Sequence, residues 1–235
     1  MEHMQSILQV ERVEKTYGGG QHGVAALKGV SLEVEAGGFV ALMGPSGCGK
    51  STLLHLIGGM ERPTRGRITC AGVRLDTLNE SERARFRRKS VGFVFQFFNL
   101  LPTLTVVENV ALPLLLDGVS GDVARAQALA LLERVGLSAR ETHFPAELSG
   151  GEMQRTAVAR ALAAQPPLVL ADEPTGSLDS ANGLQVMQLL ATLNRELGVT
   201  ILLATHAEEA ARYATRTIRL RDGLIEDPYS HAAAL

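Results

Sequence analysis

The 235-residue chain has no tryptophan and only two cysteines, Cys48 and Cys70. Two cysteines cannot form a disulfide framework and lack the spacing of a structural metal site, so the chain is typical of a reducing compartment such as the cytosol. An excess of basic residues is also missing, because the formal net charge is −2 at pH 7. The composition therefore gives no overall electrostatic reason to bind nucleic acid or an anionic membrane.

Long apolar runs are absent as well. No run approaches the roughly 20 residues that a membrane-spanning helix needs, and the polar N-terminus over Met1–Glu14 does not resemble a secretory signal peptide. Hydrophobic residues still make up 46% of the chain, which is enough for one sizeable domain with its own core. We therefore expect a single cytoplasmic domain that comprises residues 1–235.

Strand-like and helix-like segments alternate along the chain, which predicts an α/β fold with a parallel sheet. Residues 7–13 and 30–35 alternate apolar and polar side chains, which indicates antiparallel strands with one buried face. Residues 39–43, 91–95 and 168–172 are apolar runs, which are typical of buried strands in a parallel sheet. The sequence therefore predicts an N-terminal antiparallel β subdomain that leads into a parallel core.

Residues 97–164 interrupt this alternation. Apolar residues recur at helical spacing between residues 105 and 135, and a further helix is predicted from Met153 to Ala164. We therefore predict an inserted helical subdomain at 97–164. Residues 1–96 and 165–235 are predicted to form the core together with the β subdomain.

The chain is organised around the loop Gly44–Ser51, which has the pattern G-x-x-x-x-G-K-S between an apolar strand and an apolar helix. Its glycines let backbone N–H groups approach phosphate oxygens, and the helix that begins near Gly49 adds free N–H groups. Lys50 is expected to reach the β- and γ-phosphates, and the Ser51 hydroxyl to bind Mg²⁺. The alternative is a glycine-rich turn with a chance lysine. The loop alone predicts only nucleotide binding, because kinases, GTPases and motors share it.

Polar residues follow two of the predicted central strands. Asp172 and Glu173 end the strand at 168–172, where one acid can hold the Mg²⁺ shell and the other can polarise an attacking water. Alternatively, the two acids cap a following helix. Gln96 ends the strand at 91–95 and can ligate Mg²⁺ or orient a water, or else bond to the neighbouring backbone.

Two further residues are candidates by position. His206 lies just beyond the predicted strand at 199–204, at the crevice where open α/β sheets bind ligands, although a lone histidine is more often structural. Tyr17 precedes a run of glycines and can stack on a purine ring, or else be an aromatic residue at the edge of the core.

The sequence Leu148–Glu152, which reads LSGGE, precedes a predicted helix. Ser149 and Glu152 have the spacing of a capping box, so one interpretation is simply a well-capped helix start. The same geometry also allows a second anion site, because the Ser149 hydroxyl and the N–H groups of Gly150 and Gly151 would stand at a helix N-terminus.

Together these motifs resemble the ATP-binding cassette family, the ATPase subunits of ABC transporters, over nearly the whole chain from Tyr17 to Gly223. LSGGE is the most specific of them, because it separates this family from other phosphate-loop proteins. The resemblance implies a RecA-like phosphate-loop NTPase core that hydrolyses ATP with Mg²⁺. It implies that Tyr17 stacks on adenine, that Glu173 is the catalytic base, and that His206 contacts the γ-phosphate.

The resemblance also implies complete residue sets. The implied catalytic residues are Glu173, His206 and Gln96. The implied metal ligands are Ser51, Gln96 and Asp172. The implied nucleotide-binding residues are Tyr17, Gly44, Pro45, Ser46, Gly47, Cys48, Gly49, Lys50, Ser51, Thr52, Ser149, Gly150, Gly151 and Asp179.

The resemblance implies two kinds of partner and no nucleic acid. Two copies of the chain would pack head to tail, so that the LSGGE segment of each, here called the signature loop, closes on ATP held by the other. Separate integral membrane permease subunits would dock in a groove lined by Phe97, Phe98, Leu100 and Leu101. The chain would then be cytoplasmic and peripheral on the inner face of the cell membrane.

The sequence around Gln96 reads FQFFNLLPTLT and is followed by LPLL. It resembles the lipoprotein-release and macrolide-export branch of the family, which includes peptide exporters and a cell-division ATPase. The expected function is therefore an export or mechanotransmission motor. A non-transport cassette ATPase, such as an iron–sulfur assembly factor, is the main alternative. A small-molecule kinase, in which Glu173 would activate a substrate hydroxyl, is opposed by LSGGE.

Overall fold

The computed structural model describes residues 6–18 and 23–226. The glycines at 19 and 20, and the tail from residue 227 onward, lie outside the described residues. Within the described part, no helix is long and apolar enough to cross a membrane.

The strands of the described residues form two sheets. An antiparallel four-stranded sheet has the order β2-β1-β4-β5, with β1 Ser6–Tyr17, β2 Val24–Glu35, β4 Arg65–Cys70 and β5 Val73–Arg74. A six-stranded sheet has the order β10-β9-β3-β8-β7-β6, with β3 Phe39–Met43, β6 Val91–Phe95, β7 Leu168–Asp172, β8 Thr200–Thr205, β9 Arg216–Arg221 and β10 Leu224–Ile225. The predicted α/β fold with an antiparallel β region is confirmed.

The register of the six-stranded sheet brings the functional segments to one edge. The strands β3, β8, β7 and β6 are parallel neighbours, and they are apolar because helices cover both faces. Asp172 pairs with Phe95 on one side and with Ala204 on the other, while Met43 pairs with Thr205. All four strands therefore end at the same level, and the residues that follow them meet in one crevice.

The helices are α1 Lys50–Ile57, α2 Glu80–Ser90, α3 Val106–Leu116, α4 Gly121–Arg134, α5 Gly150–Leu162, α6 Ser180–Leu197 and the short α7 Glu208–Ala211. The predicted start of a helix at Met153 is wrong. Helix α5 begins three residues earlier, because the side chains of Ser149 and Glu152 form a reciprocal capping box that satisfies its first N–H groups.

Residues 97–164, all of which the structure describes, contain helices and turns but no strand. Helices α3, α4 and α5 share a core that includes Val110, Leu132 and Ala159. Helix α5 also contributes Val158 and Leu162 to the core under the six-stranded sheet. The helical insertion is thus joined to the sheet through α5, and its division as a separate subdomain stays a prediction.

The contact between α5 and the edge strand β6 depends on Gly92. A Cβ atom at this position would lie 2.1 Å from the carbonyl oxygen of Ala161 on α5. Substitution Gly92→Ala should therefore force the helix away from the sheet and lower the free energy of unfolding by about 1–3 kcal/mol. Urea denaturation of the nucleotide-free chain measures this change.

Gly121→Ala is the matched control, because nothing lies within 4 Å of a Cβ atom at the first position of α4. This control should leave the stability unchanged or raise it slightly. Equal stabilities of the two variants would contradict the close packing of α5 on β6.

Candidate functional site

The loop between β3 and α1 is constrained by the protein's own backbone and side chains. A Cβ atom at Gly44 would lie 2.1 Å from the carbonyl oxygen of Leu220 on β9 and 2.7 Å from the sulfur of Cys48. Gly47 and Gly49 have φ angles of 79° and 109°, in the left-handed region that favours glycine. The glycines thus permit the tight turn itself, in addition to any approach of phosphate.

Cys48 turns its side chain into the protein. It is 3% exposed and belongs to the main core, and its backbone N–H lies 3.3 Å from the carbonyl oxygen of Pro45. The thiol therefore faces away from the crevice. Any contact between Cys48 and a nucleotide would be made by its backbone.

Lys50 is buried at the first position of α1, with only 6% of its surface exposed. Its ammonium donates hydrogen bonds to the carbonyl oxygens of Gly44 at 2.7 Å and Pro45 at 3.2 Å, and it lies 3.6 Å from Glu173 Oε1. The charge is thus held inside the loop by the loop's own acceptors. A phosphate that enters the loop would replace these partners with stronger, charged ones.

Ser51 and Asp172 join the loop to the end of β7. The Ser51 hydroxyl donates to Asp172 Oδ1 at 3.0 Å. Burial is the main cause that raises the pKa of Asp172, against the opposing effects of Ser51 and Lys50. A hydroxyl and a carboxylate are oxygen donors of the kind that Mg²⁺ prefers, and Mg²⁺ sites commonly take their remaining ligands from water and substrate phosphate.

Glu173 is held in an unusual backbone conformation. Its φ angle is 46°, a left-handed value that costs a non-glycine residue about 1–3 kcal/mol. Its N–H donates to the carbonyl oxygen of Ala204 at 2.9 Å, which fixes the turn after β7 to the end of β8. Its Oε1 atom lies 2.9 Å from Nδ1 of His206, so the carboxylate is placed between His206 and Lys50.

Gln96 follows β6 and lies beside the turn after β7. Its side-chain amide packs against Gly176, and its carbonyl oxygen accepts a hydrogen bond from the Ser177 hydroxyl at 2.6 Å. This hydrogen bond is made by the backbone of Gln96, so the alternative in which its side chain bonds to the neighbouring backbone stays a prediction. The predicted ligation of Mg²⁺ by Gln96 stays a prediction.

Gln154 was not among the residues predicted from the sequence, yet it links the segment after β7 to the end of β6. This side chain is fully buried, and its amide donates to the carbonyl oxygens of Pro174 at 2.7 Å and Phe95 at 3.2 Å. Its position gives a signal that could have found it, because Gln154 lies on the otherwise apolar stripe of α5 together with Ala157 and Val158.

Tyr17 stands at the end of β1 with 39% of its surface exposed. Its hydroxyl donates to Glu61 Oε1 at 3.0 Å, and the Lys15 ammonium lies 4.9 Å from the ring centroid and 2.7 Å from Glu61 Oε2. Burial is the main cause that raises the pKa of Tyr17. The ring is therefore oriented from two sides while part of it faces solvent, as a stacking platform requires.

The signature residues lie beside the turn that precedes α6. A Cβ atom at Gly151 would lie 2.3 Å from Oδ1 of Asn182, and Asp179 caps α6 by accepting from the Asn182 N–H at 2.9 Å. Within residues 6–18 and 23–226, no hydrogen bond or ion pair joins Ser149 to the phosphate loop. The structure thus brings Lys50, Ser51, Asp172, Glu173 and His206 together by direct contacts but does not join the signature residues to them.

The chain is similar to known proteins in both sequence and fold. The sequence model of one family, described as ABC transporter, matches residues 27–176. An uncharacterized ABC transporter ATP-binding protein of Methanocaldococcus jannaschii, MJ1508, is 49% identical over 93% of this chain and 97% of its own length. The lipoprotein-releasing system ATP-binding protein LolD of Geobacter metallireducens is 49% identical over 94% of this chain and 99% of its own length. The dimeric post-hydrolysis structure of the ATP-binding cassette MJ0796 of M. jannaschii, bound to ADP and Pi, aligns with a TM-score of 0.86 and 45% identity over 94% of this chain and 97% of that chain.

Because Asp172 is buried, replacing it with the neutral asparagine should raise the free energy of unfolding, by an amount that depends on pH. Because its folded-state pKa is raised, the ionised carboxylate lowers stability once the pH exceeds the unfolded pKa, and this penalty disappears when both states are protonated. Without nucleotide and Mg²⁺, Asp172→Asn should therefore be more stable than the parent chain at pH 8. The difference should vanish as the pH falls toward 3.

Asp179→Asn is the control for the loss of one negative charge. Hydrogen bonds from Asn182 lower the pKa of Asp179, so the ionised Asp179 carboxylate stabilises the fold, whereas that of Asp172 destabilises it. Asparagine is an equally good N-cap residue, so Asp179→Asn removes the charge and keeps the cap. Asp179→Asn should not raise the denaturation midpoint at pH 8. A gain of the same size in both variants would show that overall charge, not burial at Asp172, is the cause.

Proposed function

Because this chain belongs to the ABC transporter family and is an ATPase with an ATP-binding cassette, we propose that it is the motor subunit of a membrane transport complex. Two copies close head to tail on two ATP molecules and drive separate permease subunits. The observation that carries the proposal is the contact network at the ends of β3, β7 and β8, in which Lys50, Ser51, Asp172, Glu173 and His206 converge.

ATP enters the loop between β3 and α1, where its phosphates take the place of the Gly44 and Pro45 carbonyls as partners of Lys50. Adenine stacks on the exposed part of the Tyr17 ring. Ser51 and Asp172, with Gln96, would hold Mg²⁺, and the bound ion would supply positive charge against the negative charge of the phosphate oxygens.

Glu173 acts as the base for hydrolysis. Its carboxylate receives a proton from the attacking water as the oxygen of that water bonds to the γ-phosphorus and the bond to the β-phosphate oxygen breaks. The strained backbone at Glu173 and the bond of its N–H to Ala204 keep the carboxylate aimed into the crevice. His206, at 2.9 Å from this carboxylate and largely exposed, is positioned to contact the γ-phosphate.

The second copy supplies the other half of the site. Ser149, Gly150 and Gly151 form a helix N-terminus without any bond to the loop of their own chain, and such a terminus favours an anion. The similar cassette MJ0796 is dimeric. In the proposed dimer, each signature loop binds the ATP that the partner's phosphate loop holds.

The surface after β6 is the proposed permease site. Phe97 is 71% exposed and Leu101 is 43% exposed, and a solvent-exposed apolar patch of this kind marks an interaction site. Phe98 and Asn99 both have positive φ angles, and Arg160 donates hydrogen bonds to both of their carbonyl oxygens. Arg160 thus holds the turn that presents Phe97 to solvent.

The export branch is the proposed class of transport, with a lipoprotein, macrolide or peptide as the moved substrate. One similar relative is the ATP-binding protein of a lipoprotein-releasing system. An iron–sulfur assembly function is not favoured, since no observation on this chain points to it. The chain would act at the cytoplasmic face of the membrane through its permease.

The Glu173→Gln variant tests the motor mechanism. Removal of the base should lower the ATPase rate by about 10²- to 10⁴-fold and leave ATP binding intact. The variant with ATP should therefore accumulate as a dimer, which size-exclusion chromatography with light scattering detects. Glu196→Gln, the same change on the exposed surface, should hydrolyse ATP normally and remain mainly monomeric. An active Glu173→Gln enzyme, or a monomer saturated with ATP, would contradict the proposed role.

The Phe97→Asp variant tests the permease surface. A tagged Glu173→Gln chain, held closed with ATP, should capture an integral membrane protein from gently solubilised host membranes. Adding Phe97→Asp should reduce this capture at least tenfold, because a carboxylate would be buried in an apolar contact. Leu184→Asp, on the exposed side of α6, is the control and should retain the membrane protein. Equal capture by both variants would move the docking surface elsewhere.

A further inference from the structure

The ion pair Arg140–Glu152 contacts Ser149, the serine of the signature loop, through the Glu152 carboxylate. Arg140 Nε donates to Glu152 Oε1 at 2.9 Å, and the other carboxylate oxygen, Oε2, accepts from the Ser149 N–H at 2.8 Å and from the Ser149 hydroxyl at 2.9 Å. The hydroxyl oxygen also accepts from the Glu152 N–H at 3.3 Å. The single proton of the Ser149 hydroxyl and one of its two acceptor sites are therefore used within this one helix start.

This arrangement conflicts with phosphate binding unless it can be released. The Ser149 hydroxyl has a single proton, which points to Glu152, and a phosphate oxygen is also an acceptor that needs this proton. The negative charge of Glu152 lies within hydrogen-bond distance of the group that would meet a triphosphate, and like charges this close repel. Some neighbouring cation must therefore offset Glu152 for the site to accept an anion.

Arg140 is the cation that can offset the charge of Glu152. The pKa of Glu152 is lowered to about 2, chiefly by the Ser149 N–H and then by Arg140, so protonation does not remove the charge at neutral pH. Of the charged groups in the described residues, Arg140 is the one that bonds the Glu152 carboxylate.

The turn that carries Arg140 is fixed to α3. The N–H groups of Val106 and Val107, in the first turn of α3, donate to the carbonyl oxygens of His143 at 2.8 Å and Glu141 at 3.0 Å. A second nitrogen of Arg140 lies 3.3 Å from the ring of His143. The guanidinium is thus positioned before any ligand arrives, so that it need not be ordered during binding.

We propose that Arg140 and Glu152 are positioning residues for the signature, in which Arg140 draws and neutralises the Glu152 carboxylate so that the Ser149 hydroxyl can turn to the γ-phosphate of ATP on a second copy. The inference rests on the proposed function, because it requires the signature to act between two copies. It assigns no direct ligand contact to Arg140 or Glu152.

The test measures the ATP concentration that gives half-maximal dimer in the Glu173→Gln background. Adding Arg140→Met leaves Glu152 charged and uncompensated, so this concentration should rise about fivefold. Affinity of the dilute monomer for a fluorescent ATP analogue should stay unchanged, because the phosphate loop of the same chain is not touched. Arg125→Met is the matched control, since Arg125 pairs with Glu141, the neighbour of Arg140 in sequence, whereas the ion pair to Glu152 is made by Arg140.

Glu152→Gln separates the charge effect from a structural one. Glutamine retains the acceptor that a capping box needs and removes the charge. Alone it should lower the ATP requirement for the dimer, and combined with Arg140→Met it should restore the requirement to within about twofold of the Glu173→Gln parent. The inference would be overturned if Arg140→Met left the ATP concentration for half-maximal dimer unchanged, or if Glu152→Gln raised it. It would also be overturned if the double variant needed as much ATP as Arg140→Met alone.

The Ser149→Arg variant separates a failure of the proposed function from a failure of the Arg140–Glu152 inference alone. If this variant still dimerises with ATP, the signature does not act between copies, and the proposed function fails together with the inference. If Ser149→Arg blocks the dimer while Arg140→Met behaves like the Arg125→Met control, the proposed function stands and only the inference fails.

Discussion

The parallel pairing of β7 between β6 and β8 is the constraint on which the rest of the site depends. Because Asp172 pairs with Phe95 on one side and Ala204 on the other, the residues that follow these strands emerge at one level. Glu173 then bonds to Ala204 through its backbone and to His206 through its side chain. A shift of one residue in this register would separate both contacts, since alternate residues of a strand face opposite sides of the sheet.

Two features of the site lower the stability of the fold. Asp172 carries a carboxylate whose ionisation is opposed by burial, and Glu173 occupies a left-handed backbone conformation. Lys50 is buried beside both acids and satisfies its ammonium with loop carbonyls. These features are compatible with a stable fold because the surrounding strands are buried and largely apolar and over-determine the geometry. The same features leave a cation and two acids in a crevice that a nucleotide with Mg²⁺ would complement.

Much of this organisation could be predicted from local sequence. The apolar runs gave the central strands because strands covered on both faces need no polar alternation. The G-x-x-x-x-G-K-S pattern identified the phosphate loop because its spacing specifies a turn followed by a helix. At Ser149 the sequence allowed a cap and an anion site, and the structure contains the cap. The two interpretations share one geometry, so no pattern could separate them.

The remaining features depend on contacts that sequence spacing does not encode. Gly44 is required by the carbonyl of Leu220, which lies far along the chain, and Gln154 meets Phe95 and Pro174 only after α5 has packed on β6.

Arg140 and Glu152 are the clearest case of this kind, because twelve residues separate them. Each would pass as an ordinary surface charge in the sequence. In the structure, their pairing determines the electrostatic environment of Ser149, a residue whose hydroxyl can serve either its own helix or a ligand. The function of the signature loop therefore depends on a group outside the motif, because a capped helix start becomes an anion site only when the charge of its capping acid is neutralised.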